Sequence, residues 1–302
     1  MKQLTFLVLM IAALALDALA QVSVEVRTDK DTFLLYESIP VAVSIHNQTG
    51  RTIQIASTDE RPWLSFLITR AAGGMVENVG KMQVEDAILI PPGDTVRRTI
   101  DILPLYDLRS LGTYQIQAAV NANGMQAISS LIRVVILNGR DLWSQTVGLA
   151  AAGKAGDEYR TYSLVARSNR QQDSLYVCVK DEPHQLVLGL LPLGGLLTVM
   201  PPEARVDQRG DLHVLYQNGP RSFGYVQVDP SATIVKRAAY SDFSSQPRLV
   251  TLDGSVDVQG GEQTYPRPER VMTNGELHPP PPPPPPPKKK WWWPFGPKTP
   301  PS

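Results

Sequence analysis

The 302 residues carry 29 basic and 29 acidic side chains, charge is held to 19%, and apolar residues make up 42%. That apolar share is enough for a core, while a zero charge balance gives no electrostatic case for nucleic acid, so no nucleic-acid partner is expected. One cysteine, Cys178, rules out an intramolecular disulfide framework and a multi-cysteine metal site.

The chain opens with Lys2, an apolar stretch from Leu4 to Leu16, and the small-x-small triplet Ala18-Leu19-Ala20. This is the pattern of a cleaved secretory signal over residues 1–20, so the periplasm or the cell surface is the expected location. The other long apolar stretch, Leu186 to Met200, is broken by Pro192, Gly194 and Gly195. It predicts two buried strands around a Pro-Leu-Gly-Gly turn rather than a membrane span.

Residues 21–137 alternate with period two. Val22, Val24 and Val26 set the rhythm, and Val41, Val43 and Ile45 repeat it. Ile53 and Ile55 follow, then Leu64, Phe66 and Ile68, then Tyr114, Ile116, Ala118 and Val120, with a denser last strand from Ile128 to Leu137. Turn residues at Asn47–Gly50, Ala71–Gly74, Pro91–Asp94 and Asn123-Gly124 separate the runs. Short strands at this spacing predict a two-sheet sandwich. Asp107, Gly112 and Tyr114 resemble the tyrosine corner of immunoglobulin-like domains, in which the phenol bonds to nearby backbone. The stretch from Tyr36–Pro40 through Asn47–Gly50 to Leu111–Tyr114 is similar to macroglobulin-type or BsuPI-like (proteinase-inhibitor-like) sandwich modules. That resemblance implies protein contacts.

Residues 138–161 read as a linker, with a short helix capped by Asp141 and running to Ala151. Across 162–262 a pattern repeats. Leu175-Tyr176-Val177 aligns with Leu212-His213-Val214, and that with Val256-Asp257-Val258, while Gly210 and Gly254 occupy matching turns. The middle unit holds strands near Ala204–Asp207, Leu212–Gln217, Phe223–Asp229 and Thr233–Lys236. Four strands in about 40 residues is the period of β-propeller blades. The units are too few to close a ring, so the expected fold is all-β: an immunoglobulin-like sandwich followed by an incomplete, blade-like repeat domain. Its edges would be covered within the chain or by a homo-oligomer. Leu142-Trp143 and Pro220–Phe223 resemble an uncharacterised family of exported bacterial proteins, and the resemblance implies no chemistry.

A search for reactive groups returns no catalytic, cofactor or metal assignment. His213 lies near Asp207 and Asp211, yet in a hairpin Asp207 and His213 fall on opposite arms, so an ordinary hairpin with polar ends is expected. Arg209-Gly210-Asp211 spells an integrin-binding tripeptide, but Asp253-Gly254-Ser255 at the matching position points to a turn glycine instead. Asn47-Gln48-Thr49 is a glycosylation sequon, and Cys178 reads as a small core residue.

From Pro266 the composition changes. Nine prolines, Pro279 to Pro287, form a polyproline spacer, followed by Lys288, Lys289, Lys290, Trp291, Trp292 and Trp293. Residues 263–302 are expected to be disordered, with lysines suited to an anionic membrane or wall polymer and indoles to its interface. The expectation is therefore an exported, non-enzymatic binding protein of the cell envelope, whose partner is a protein or an envelope polymer. The alternatives are a secreted peptidase inhibitor acting through the loop Ile90 to Asp94, and an envelope glycan hydrolase with an unrecognised acidic site.

Overall fold

The computed structural model describes residues 22–57, 62–82, 87–122, 125–149, 158–168 and 172–264. The expected signal segment, the expected turn at 123–124 and the basic-aromatic residues 288–293 lie outside the described residues. Among those described, all helical or strand structure is β: 21 strands in open sheets with no closed barrel.

Alternation builds the first part. β1 (Val22–Thr28), β3 (Pro40–Asn47) and β7 (Thr95–Asp101) form one sheet. The facing sheet has the order β2 (Thr32–Leu34), β10 (Ile132–Leu137), β8 (Gly112–Ala122), β5 (Leu64–Arg70), with β9 (Met125–Ile128) alongside β8. A small ladder joins β4 (Ile53–Ile55) to β6 (Ile88–Ile90). Every second residue of β3 is buried: Val41, Val43, Ile45 and Asn47. The three apolar ones share a core with Leu64, Phe66, Ile68 and Ile116. Each such side chain, once removed from water, contributes about 1.5–3 kcal/mol. The run from Ile128 to Leu137 is not one strand. Ser129 breaks it by donating its N–H to Ala118 O and accepting the Ala118 N–H on its hydroxyl.

The second part differs from the sequence expectation in three places. The stretch from Asp141 is no helix but β11 (Arg140–Gly148), with a bulge between Asp141 and Trp143. Leu186 to Met200 holds a single edge strand, β14 (Leu186–Leu196). There Pro192 is tolerated and Gly194, at φ 138°, absorbs a register shift. Leu175 belongs to β13 (Asp173–Asp181), the third strand of its sheet, so its match to Leu212 was out of phase. The second-strand place is held by β12 (Tyr159–Arg167).

β11 to β14 thus form one antiparallel four-stranded meander. A second consists of β15 (Glu203–Val206), β16 (Leu212–Gly219), β17 (Ser222–Val228) and β18 (Ile234–Ser241). A third unit stops at the hairpin β19 (Arg248–Leu252) and β20 (Ser255–Gln259), and β21 (Glu262–Thr264) returns to pair with β18. Leu212 and Val256 do occupy matching second strands.

These sheets pack face to face in series. Leu34, Tyr36 and Leu137 of the sandwich meet Val165, Tyr176, Cys178 and Leu190. On the opposite face Tyr162, Leu164, Leu175 and Val177 meet Leu212, Val214, Tyr216 and Val228. Beyond, Leu215, Phe223, Tyr225 and Ala238 meet Leu249 and Val256. The inner strands are therefore largely buried on both faces. Arg167 Nη1 ties the second part to the sandwich by donating to Thr32 O at 2.6 Å. Glu37 also bridges Leu190, which covers part of the β14 edge. At the far end the hairpin turns Arg248, Ser255, Asp257 and Gln259 to solvent, so the series finishes on a mainly polar face, as a terminal repeat does.

Candidate functional site

A cavity of about 410 Å³ opens between the second meander and the terminal hairpin. Its floor is Tyr225, Gln227 and Lys236; its walls are the turn Asp207–Arg209 and the strand segment Ser255–Asp257, with His213 at the back.

The turn between β15 and β16 is built by Asp207. Its Oδ1 accepts the backbone N–H of Arg209 and of Asp211, both at 2.9 Å, and Gly210 supplies the left-handed φ of 87°. A side chain on Gly210 would strike Leu149, and the Gly210 carbonyl accepts the Tyr162 hydroxyl at 2.7 Å. In the next hairpin Asp253 and Gly254 both have positive φ, 48° and 76°, the signature of a type I′ turn. Gln208 N–H donates to Gly254 O at 3.0 Å, so the two tips rest on one another.

His213 is 3% exposed and uses both ring nitrogens. Nε2 lies 3.2 Å from Asp207 Oδ2 and Nδ1 lies 2.7 Å from the Tyr225 hydroxyl. A carboxylate only accepts, so Nε2 carries the hydrogen and Nδ1 accepts the phenol O–H. Burial opposes ionisation of Asp207. The backbone N–H of Asp211, His213 and the backbone N–H of Arg209 outweigh it and hold the carboxyl below its usual range. Burial, then Tyr240 and the carboxylates of Asp257, Asp207 and Asp211, push the Tyr225 phenol up to about 12, so it stays a neutral donor. Lys236 Nζ sits 5.5 Å from the centre of the Tyr225 ring.

Asp207 and His213 therefore converge, although the hairpin reading separated them. The Asp207 side chain leaves its strand end and curls back across the turn. Asp211 joins through Arg209, whose Nη2 is 3.3 Å from Asp207 Oδ2 and from Asp211 Oδ2, while Gln227 Nε2 donates to Asp211 at 2.8 Å. The guanidinium already balances both carboxylates, and among the described residues no three His, Cys, Asp or Glu side chains are placed to hold a metal. In Arg209-Gly210-Asp211 the arginine folds onto the aspartate instead of standing away from it. Tyr225, Gln227, Lys236 and Asp257 escaped the sequence reading. The register gives one signal: His213 pairs with Gln227, which sets Tyr225 diagonally beside His213 on the same face.

Other singled-out residues lie elsewhere. Tyr114 donates its hydroxyl to Ser110 O at 2.7 Å, Gly112 beside it has φ 140°, and Asp107 N–H donates to Glu77 O. Asn47 is fully buried and its Nδ2 donates to Arg51 O and Ile90 O, both at 2.8 Å, which a glycan on that nitrogen would break. Cys178 is buried against Leu34 and Tyr176, and burial pushes its thiol up. His46 reaches Thr95 Oγ1 and His184 reaches Asp181, both away from the cavity. Lys288–Lys290 and Trp291–Trp293 lie outside the described residues.

No protein-family model matches the chain, and no curated sequence is similar to it. Solved structures with similar portions are distant. Spo0M, a sporulation control protein from Bacillus subtilis, is 11% identical with a TM-score of 0.29, over 56% of this chain and 83% of that one. The NanB sialidase of Streptococcus pneumoniae is 9% identical with a TM-score of 0.25, over 79% of this chain and 48% of that one. The alkylpurine DNA glycosylase AlkC of Pseudomonas fluorescens is 12% identical with a TM-score of 0.26, over 39% of this chain and 30% of that one.

Proposed function

We propose that this chain is an exported, non-enzymatic binding protein of the cell envelope. Its stacked sheets, of the propeller-blade kind, present a recognition surface, and its basic-aromatic tail holds it to an anionic membrane or wall. The observation that carries the reading is the closure of the polar network in the cavity. Asp207, His213, Tyr225, Arg209 and Asp211 satisfy one another, so these polar walls are held in place. Fixed polar walls with satisfied partners suit recognition.

The test is co-sedimentation of the full chain, and of one ending at Leu277, with purified peptidoglycan and with phosphatidylglycerol vesicles. The full chain should pellet with at least one and the shortened chain with neither. Equal pelleting of the two would remove the tethering role, and no pelleting of either would remove the envelope role.

A second reading has its own observation. The exposed loop 91–94 of a BsuPI-like sandwich is held at both ends by Asn47, through Ile90 O, Gly93 N–H and Asp94 O. A rigid exposed loop is what a peptidase inhibitor requires. Inhibition of one member of a serine, cysteine and metallo-peptidase panel, lost on replacing residues 91–93 with three glycines, would establish it; an unaffected panel would dismiss it.

A further inference from the structure

The third unit of the stack has two strands where each of the first two has four, and the cavity lies where its third strand would run. In the preceding units that place is filled by β13 and β17. After β20 the chain turns at Gly260 and Gly261 and pairs with β18 instead, so among the described residues β20 has a partner on one edge only.

The hairpin fixes what that edge offers. Across a two-residue type I′ turn the closing pair, Leu252 and Ser255, is the hydrogen-bonded one, and pairs then alternate. Val250–Asp257 and Arg248–Gln259 are therefore bonded pairs. The N–H and C=O groups of Val256 and Val258 point away from β19, toward the cavity side. Beneath this edge Tyr225 supplies an aromatic floor and Lys236 an ammonium group. Among the described residues no carboxylate lies within 4.0 Å of that ammonium. Asp257 is the one acid of the outer wall, because Asp207 is engaged by Arg209 and His213.

We propose that the cavity is a strand-docking groove: an extended segment of a partner protein pairs with the free edge of β20, placing an acidic side chain against Lys236. The occupant is a strand because the same chain twice fills this place with one. It is acidic at one inward position because the floor offers an unmatched cation. Main-chain bonds to Val256 and Val258 give affinity, and the floor gives selectivity. The proposal rests on the binding reading above and names the partner's form.

The probes are two nonapeptides of alternating threonine and valine, one with glutamate and one with lysine at the centre. Amide hydrogen exchange of the full chain is followed with each at millimolar concentration. The glutamate peptide should slow exchange at Val256 and Val258 and leave the β7 edge unchanged. It should bind on the order of tenfold more tightly than the lysine peptide. Lys236→Glu, at an exposed position, should reverse that preference with an unchanged melting temperature. Unaltered exchange at Val256 and Val258, or protection confined to another strand, would overturn the proposal. So would protection without peptide that grows with protein concentration, because a second copy would then be the occupant. Pelleting with peptidoglycan or vesicles is scored separately. If it persists while peptides fail to bind, only the groove is lost; if it is absent while peptides bind, only the envelope role is.

Discussion

Replacing Asp207 tests how the cavity is held. Its Oδ1 takes two backbone N–H groups and its Oδ2 faces His213 Nε2 and the Arg209 guanidinium. A hydrogen bond to a charged group contributes about 1.5–3 kcal/mol, and a buried donor left unpaired costs about 1–3 kcal/mol. Asp207→Ala strands two backbone donors and His213, while water recovers part of the loss at the exposed Arg209, so it should cost about 3–4 kcal/mol. Asp207→Asn keeps an oxygen for the turn but turns an amide toward His213 or Arg209, for a loss of about 1–2 kcal/mol. At 2–4 °C per kcal/mol for a body of this size, calorimetry should show melting temperatures lower by about 10 °C and about 4 °C. The pH dependence follows from the depressed carboxyl. Asp207 contributes its full stability above the unfolded value of about 3.9 and loses it as pH falls through the lower folded value. That part of the acid-induced loss should vanish in Asp207→Asn. Equal losses for the two variants at pH 7, or an unchanged acid limb in the asparagine variant, would refute the reasoning.

Other outcomes can be checked with similar means. Asn47→Ala leaves the carbonyls of Arg51 and Ile90 without their donor and should lower stability in urea by about 2–4 kcal/mol. Gly254→Ala meets both a left-handed backbone and the Gln208 side chain, costing at least about 1–2 kcal/mol; adding Gln208→Ala should restore only the part due to the clash. Cys178, with its thiol buried and pushed up, should resist iodoacetamide at pH 8 in the native protein and label once on unfolding, read by mass spectrometry.

The sequence was most legible where one face of a sheet is wet. β1, β3 and β5 could be read from alternation because their outward residues are polar. It was least legible inside the stack. β12, β13 and β16 are buried on both sides and so lack a wet face to set the period, and Leu175 was matched to the wrong strand. The bulge in β11 turns Leu142 and Trp143 to the same core, which mimics helical spacing and explains the false helix at Asp141. Gly210 and Gly254 marked their turns correctly because left-handed backbone restricts residue choice. The cavity was hidden for a different reason: Asp207, His213 and Tyr225 meet only after two turns fix the register, and Lys236 and Asp257 come from different sheets.

The wet outer surface of the last hairpin also bears on how such a chain changes length. An additional four-strand unit spliced in between Asp242 and Pro247 would find greasy neighbours above and below while the present terminus kept its place against water. Lengthening by whole modules is thus open to this architecture, and each added module would move the last hairpin farther from the sandwich without redesigning either.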